Sequence, residues 1–335
     1  MRNTTIIDIA KKLKISASTV SRALNDYPDI NEETKSQVKK LAKQMNYWPN
    51  PIARSLKSNT TNVIGVIVPE IKHDFFSSAI SGIEEVAYHS GFTILVCQSN
   101  EDYEREVINT NALMHQRVAG FIVSISQTTT NGDHFQALID RKIPLVFFDR
   151  SFDQITTPKV VIDDAKSSCV AVTHLIERGH KKIAHFTGPN GMNICKQRLK
   201  GYKNALKNAN LPISKELILT GGLQESDGYA SMDSLIKDNN MPDAIFAVND
   251  PVAIGAFQRI KEAGLRIPED IAIVGFSNNK ITSLIEPPMT TVNQPSFEMG
   301  KKAAEILIDM IEKKIKNNQN KTVVFEAELI VREST

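Results

Sequence analysis

The stretch Ser16-Ala17-Ser18-Thr19-Val20-Ser21-Arg22 crowds four hydroxyls and one guanidinium into seven residues. Small polar side chains at helical spacing suit phosphate oxygens. A guanidinium can bond O6 and N7 of a guanine, a pairing that discriminates between bases by roughly 1–3 kcal/mol. Ala17, Ser18, Ser21 and Arg22 fall opposite the apolar positions Val20, Ala23 and Leu24, which is the layout of a helix laid into a major groove. A plain three-helix bundle whose hydroxyls only cap helices accounts for the same residues, so this stretch does not decide by itself.

The elements that would position these groups can be read on either side. Thr5 caps a first helix with Asp8 three residues on, and Ile6, Ile9, Ala10 and Leu13 form its apolar face. Lys14-Ile15-Ser16 is the turn, and Ser16 caps the second helix. Asn31 caps a third, with Glu32 and Glu33 in its first turn and Lys39, Lys40 and Lys43 late, as the helix dipole favours. Val38, Leu41, Ala42 and Met45 close a small core. Asn50-Pro51 then starts another helix, with Asn at the cap and Pro at the first position. At about eight residues it is too short to be stable alone in water.

Charge is distributed unevenly. The 335-residue chain carries a net charge of +2, but residues 1–60 hold eleven Lys and Arg against five Asp and Glu, whereas the remainder holds 29 against 33. A basic module on a mildly acidic body implies a polyanion partner at one end only. Hydrophobic content of 41% and charged content of 23% are those of a globular protein, and the length suits two or three units. Cys97, Cys169 and Cys195 are far apart and include no CxxC, which fits a reducing cytoplasm rather than a disulfide framework. The N-terminal residues lack the apolar core of an export signal, and no run approaches eighteen apolar residues, so no membrane partner is expected.

From Thr61 the pattern changes. Apolar strand-like runs at 63–68, 93–97, 120–125, 145–148, 160–162, 183–186, 244–248 and 271–276 alternate with helical stretches at 76–89, 107–115, 169–178, 198–208, 228–237 and 252–263. Near-continuous apolar strands separated by helices mean parallel sheets covered on both faces, with ligands at the carboxyl ends of the strands. The polar loops there are spread along the whole length, which implies two lobes facing a shared cleft.

Other chemistries find little support. His180 and His185 lie where a loop enters a strand, with no Cys or carboxylate cluster nearby in sequence, so no metal is expected. Asp163 and Asp164 are adjacent at a strand end and point opposite ways, so they make a poor acid–base pair. There is no nucleophile elbow, Walker loop, HExxH or dinucleotide fingerprint, and neither enzymatic activity nor a cofactor is expected.

The segment Tyr47-Trp48-Pro49-Asn50-Pro51-Ile52-Ala53-Arg54-Ser55-Leu56 resembles the hinge of the lactose-repressor (LacI/GalR) family. The family's order of a capped first helix, Thr19-Val-Ser-Arg-Ala-Leu-Asn25, this hinge and the strand starting at Val63 is met throughout. The resemblance continues through Arg178-Gly-His180, Arg198-Leu-Lys-Gly-Tyr202, Val248-Asn-Asp250, Val274-Gly-Phe276 and Thr291-Val-Asn-Gln-Pro295, and covers essentially the full chain.

What this resemblance implies can be stated position by position. Thr5, Ser16, Thr19, Ser21 and Asn25 match phosphate-facing positions, and Ala17, Ser18 and Arg22 match base-reading ones. Asn50, Ala53 and Leu56 match hinge positions that enter the minor groove, where a leucine from each of two subunits unstacks one central step. In the cleft, Phe75 and Phe76 match aromatic positions beside the effector, while Asp149, Asp163, Arg198, Asn249 and Ser277 match positions at or near the ligand.

The expected fold is an all-α helix-turn-helix domain at 1–48, a hinge at 49–60, and an α/β periplasmic-binding-protein-like domain at 61–335. Its two doubly wound lobes would be residues 61–161 with 293–320, and 162–292 with 321–335. The expected protein is a cytoplasmic transcriptional repressor, a homodimer that binds a palindromic double-stranded DNA operator. A small molecule in the cleft, a sugar or sugar derivative, controls it by changing the spacing of the hinges. Two departures concern the effector: Ser277-Asn278-Asn279 stands where many relatives carry an aspartate, and Gly221–Gln224 lacks the aromatic that several sugar-responsive relatives have near Leu223. A periplasmic-type sugar-binding protein with no DNA role is the alternative, and a sugar-modifying enzyme a third.

Overall fold

The computed structural model describes residues 4–47, 61–314 and 321–335, so the expected hinge residues Asn50, Ala53 and Leu56 lie outside the described residues. The chain divides into two compact units, residues 1–61 and 62–335.

In the first unit, α1 (Ile6–Leu13), α2 (Ala17–Leu24) and α3 (Glu32–Gln44) pack around Ile9, Val20, Ala23 and Val38, all fully buried. Each helix starts at a capping side chain. The Thr5 hydroxyl accepts from the Asp8 amide at 3.3 Å and the Asp8 carboxylate accepts from the Thr5 amide at 2.8 Å. Ser16 accepts from the Thr19 amide at 3.0 Å, and Asn31 from the Thr34 amide at 2.7 Å. These bonds satisfy donors that a helix start leaves open. Lys14 ends α1 in the left-handed region (φ 56°), which reverses the chain within three residues and sets α2 against α1.

The second unit holds two six-stranded sheets. The first runs in the order β11-β5-β4-β3-β1-β2, formed by Thr322–Phe325, Lys159–Ile162, Leu145–Phe148, Gly120–Val123, Val63–Val68 and Thr93–Gln98. The second runs β12-β10-β9-β8-β6-β7, formed by Glu328–Ile330, Thr290–Asn293, Ala272–Ser277, Ala244–Ala247, Ile183–Phe186 and Ile218–Leu219. Pairing is parallel throughout except between β10 and β12. The central strands are buried along nearly their whole length, because helices cover both faces and leave no side for polar residues.

The helices of this unit are α4 (Asp74–His89), α5 (Tyr103–His115), α6 (Asp133–Asp140), α7 (Asp164–Glu177), α8 (Asn193–Asn208), α9 (Glu225–Lys237), α10 (Asp250–Glu262) and α11 (Ser296–Ile311). Several begin earlier than the apolar periodicity predicts, because their first turns are polar and anchored by caps. Asp163, for instance, accepts from the Lys166 amide at 2.9 Å, so α7 begins at Asp164 rather than near Cys169.

One lobe boundary differs from expectation. Residues 321–325 do not join the second lobe: β11 pairs in parallel with β5, with Thr322 opposite Lys159 and Phe325 opposite Ile162. Only afterwards does the chain cross over, and β12 pairs with β10. The run 322–330 is apolar at both ends, and sequence periodicity does not mark the crossing inside it.

Candidate functional site

Two surfaces carry the residues singled out by sequence. On the first unit, Ser18 and Arg22 are exposed on α2, Ser21 and Thr19 are half-buried, and Ala17 packs partly against the three-helix core. The Ser16 hydroxyl bonds Ser18 and Thr19 at 2.7 and 2.8 Å, so the hydroxyls form a linked row at the start of α2. Asn25 closes the other end by donating to the Ser21 carbonyl at 2.7 Å. The Arg22 guanidinium is paired with Asp29 and lies 5.6 Å from the centre of the Tyr27 ring.

In the second unit, strand ends from both sheets converge on a narrow cleft. Phe75 and Phe76 enter from the start of α4, Asp149 from the end of β4, Arg198 from α8, Asn249 from the end of β8 and Ser277 from the end of β9. Asp163 is not among the lining residues: it is exposed and serves as the α7 cap. Its neighbour Asp164 is the buried carboxylate, and it accepts from Arg198 Nε at 2.8 Å. Burial pushes Asp164 up to about 6 despite the nearby guanidinium, because loss of water outweighs that attraction.

Arg198 also donates from Nη1 to the Val248 carbonyl at 2.6 Å and stacks on Phe276. Asp149 is held at φ 58° and is buried; burial raises its carboxyl pKa, and its Oδ1 accepts only a long 3.4 Å bond from Gln294. Beside it, Arg150 Nη1 donates to both oxygens of Glu101 at 2.9 Å, and its guanidinium lies 5.5 Å from the Phe76 ring centre.

Asn249 is committed on both sides of its amide. Its oxygen caps α10 at Val252 (2.9 Å), and its nitrogen donates to the Leu223 carbonyl at 3.0 Å. Asp250, the next residue, has a separate role. Fully buried, and pushed up to about 6 by that burial, it accepts from the Thr291 hydroxyl at 2.6 Å and the Asn279 amide at 2.7 Å, fixing the Ser277–Asn279 loop. That loop carries left-handed φ values of 119° at Ser277 and 56° at Asn278, and the Ser277 hydroxyl donates to Gln294 at 2.9 Å. The Oδ1 of Asn279 has no partner among the described residues, although it is buried.

Sequence reasoning missed Arg150, Asn279 and Gln294 as lining residues. Gln294 belongs to the quoted Thr291–Pro295 motif, and Arg150 follows Asp149 directly, so both were adjacent to recognised positions. The lobes are joined across the mouth of the cleft. Gln224 donates to Glu70 at 2.9 Å and accepts from Lys72 at 3.0 Å, and Asp74 accepts from the Lys280 amide at 2.6 Å. His185 does not resemble a metal ligand: it is buried between Tyr202 and Phe246, its Nδ1 bonds the Phe246 carbonyl at 2.9 Å, and burial lowers it to about 4.

A helix-turn-helix unit attached to a two-lobed, periplasmic-binding-protein-like domain defines a ligand-responsive DNA-binding regulator. Residues 5–50 match the model of bacterial regulatory proteins of the lacI family, and residues 172–335 match that of the periplasmic binding protein-like domain. The "HTH-type transcriptional repressor PurR" of Vibrio atlanticus (strain LGP32) is 34% identical over 98% of this chain and 97% of its own length. The protein of the same name from Vibrio vulnificus (strain CMCP6) is also 34% identical, over 98% of both chains.

Among solved structures, a CelR–cellobiose complex matches with a TM-score of 0.76 at 28% identity, covering 99% of this chain and 100% of that one. A ribose-bound LacI family regulator from Enterococcus faecium matches with a TM-score of 0.73 at 30% identity, covering 82% and 98%. The lac repressor dimer bound to operator and an anti-inducer shares the fold, with a TM-score of 0.85 at 24% identity, covering 99% of both chains.

The chain belongs to the lacI family of bacterial regulatory proteins. It is a DNA-binding transcriptional repressor controlled by a small molecule, not an enzyme, and the alternative of a sugar-binding protein without a DNA role is set aside. Among the described residues, no helix is long and apolar enough to cross a membrane.

Proposed function

We propose that the protein acts in the cytoplasm as a homodimer on a near-palindromic operator, and that its effector is a neutral polyhydroxylated molecule, a sugar or sugar derivative. One helix-turn-helix reads one half-site, so a palindrome needs two copies. Thr5, Ser16, Thr19, Ser21 and Asn25 serve the phosphates, while Ala17, Ser18 and Arg22 face bases. The observation that carries the effector reading is Asp149: a buried carboxylate with one long hydrogen bond and a 3.7 Å ion pair to Arg150 Nε, facing the same cleft as the Phe75 and Phe76 rings. A ligand with hydroxyls on its edge and an apolar face offers that carboxylate shorter hydrogen bonds than its present long contacts and covers the rings. The sugars bound to two similar regulators, cellobiose and ribose, favour the same chemistry.

Closure of the lobes on such a ligand alters how the two copies present their hinges, so DNA affinity and effector affinity are coupled. Asn50, Ala53 and Leu56 would act in the minor groove. The test is selection of the purified protein on random duplexes at fixed salt, repeated with a panel of neutral sugars, sugar phosphates and nucleosides. A palindrome whose enrichment changes only with neutral sugars is the expected result. Enrichment that changes only with the other classes would overturn the effector assignment, and a motif without two-fold symmetry would overturn the homodimer.

A further inference from the structure

Arg22 is the long side chain on the exposed face of α2, and it is not free. The turn after α2 folds back over it: the Asp26 amide donates to the Ala23 carbonyl at 3.3 Å, the Tyr27 amide to the Arg22 carbonyl at 3.1 Å, and the Ile30 amide to the Tyr27 carbonyl at 3.3 Å. Pro28 fixes φ in the middle of this turn. The result is that Tyr27 and Asp29 both reach the same guanidinium, the ring at 5.6 Å from its carbon and the carboxylate paired with Nη2. A solvent-exposed ion pair between flexible side chains is ordinarily worth little, because both must be immobilised in one geometry. Here the turn restrains the acid, and the ring restrains the base from a second side. The contact therefore acts mainly on orientation.

We propose that Asp29, with Tyr27, is a specificity-determining positioning residue for DNA: it holds the Arg22 guanidinium in the orientation from which it reads a guanine. The Asp29 carboxylate pairs with the Nη2 end of the guanidinium, and the five N–H donors of an arginine are enough for a two-bond contact with O6 and N7 beside that pairing. An arginine ordered beforehand loses less conformational freedom on binding and has fewer ways to accept the wrong base. Asp29 also brings a negative charge toward the duplex, which weakens binding to every sequence alike. The proposal rests on the reading of α2 as the recognition helix.

The experiment is selection of the full chain on random duplexes, with wild type, Arg22→Ala, Asp29→Ala and Asp29→Asn run in parallel at one salt concentration. Wild type is expected to select a motif with a guanine in each half-site that Arg22→Ala erases. Asp29→Ala is expected to keep the rest of the motif, to lower the preference for that guanine about fivefold or more, and to bind unselected duplexes more tightly. Asp29→Asn should fall between. If Asp29→Ala binds all duplexes more tightly with the guanine preference intact, the carboxylate is only a local charge and the positioning role is wrong. If Arg22→Ala erases no guanine, Arg22 is not the reader and the proposal fails with it. If wild type enriches no motif either alone or with the panel of neutral sugars, sugar phosphates and nucleosides, the failure lies in the recognition-helix reading itself, and that control arm separates it from the others.

Discussion

The guanidinium carbon of Arg198 lies 3.7 Å from the centre of the Phe276 ring, so a charge from α8 is stacked on the last core aromatic of β9. The same group reaches Asp164 on α7 and the Val248 carbonyl after β8. One side chain, 2% exposed, thus ties together four elements of the second lobe at the cleft. Replacing Arg198 by Ala strands a buried carboxylate, a loss of about 3–5 kcal/mol. Arg198→Lys restores charge but neither the planar stack nor the fork, and should recover only part of it. Urea denaturation of both variants and of Asp164→Leu/Arg198→Leu checks this: the double variant should be more stable than Arg198→Ala.

The pH dependence of that site has a definite sign. Asp164 is pushed up to about 6 by burial, from 3.8. A raised carboxyl pKa contributes stability that is fully present below pH 3.8 and is lost as pH rises through 6. Asp250, also about 6, adds to the same slope, whereas His185, lowered to about 4, contributes stability above pH 6.5 that is lost as pH falls through 4. Asp164→Asn removes one of these without touching the others. The stability of Asp164→Asn relative to wild type should therefore rise between about pH 4 and pH 7, as measured by denaturant midpoints at constant ionic strength. A flat difference would mean that the site does not titrate in this range.

Asp163 and Asp164 also show where sequence reading stops. The parallel strands were legible because a strand covered on both faces has no polar positions: β1 and β8 are almost uninterrupted apolar runs. Helix starts were not, because first turns such as Asp164-Ala-Lys-Ser are polar and look like loop. Placing Asp163 at the ligand was the consequence, whereas neither aspartate lines the cleft and it is Asp164 that turns inward to Arg198. Which of two adjacent aspartates caps a helix and which turns inward depends on where the helix begins, and the partner that settles it, Arg198, is 34 residues away. β11 and β12 were lost for a related reason: short edge strands alternate between exposed and half-buried residues and lack the continuous apolar signal. On the first unit, spacing carried nearly everything, since caps and apolar positions in a three-helix bundle are local.

Ser16 serves both as a cap and as an expected phosphate contact, and the two roles separate by salt. Ser16→Ala removes the acceptor for the Thr19 amide, a loss of about 1 kcal/mol to α2. Hydrogen exchange at the Thr19 amide should accelerate in the full chain, and DNA affinity should fall. Because no charge is removed, the slope of log affinity against log salt should stay unchanged. A change in slope would mean that the substitution displaced neighbouring lysines rather than one hydroxyl.

Close helix contacts provide a test of how tightly the second lobe is assembled. A Cβ added at Gly255 on α10 would lie 1.8 Å from the Glu225 carbonyl oxygen, and one at Gly228 on α9 would lie 1.9 Å from the Val252 carbonyl oxygen. The two helices thus approach backbone to backbone at both glycines, and neither obstructing atom is a side chain that can rotate away. Gly255→Ala must separate α9 from α10, and α10 is capped by the cleft residue Asn249 and carries Pro251, which also lines the cleft. The expected loss is about 1–3 kcal/mol, read as a lower denaturant midpoint, together with weaker effector binding as the cap at Asn249 shifts. Gly191 is the contrast, since a Cβ added there would meet nothing within 4 Å. Gly191→Ala should leave the midpoint unchanged or raise it slightly by restricting the unfolded chain. Equal effects at the two sites would show that the close approach of α9 and α10 is not what limits the stability of the lobe.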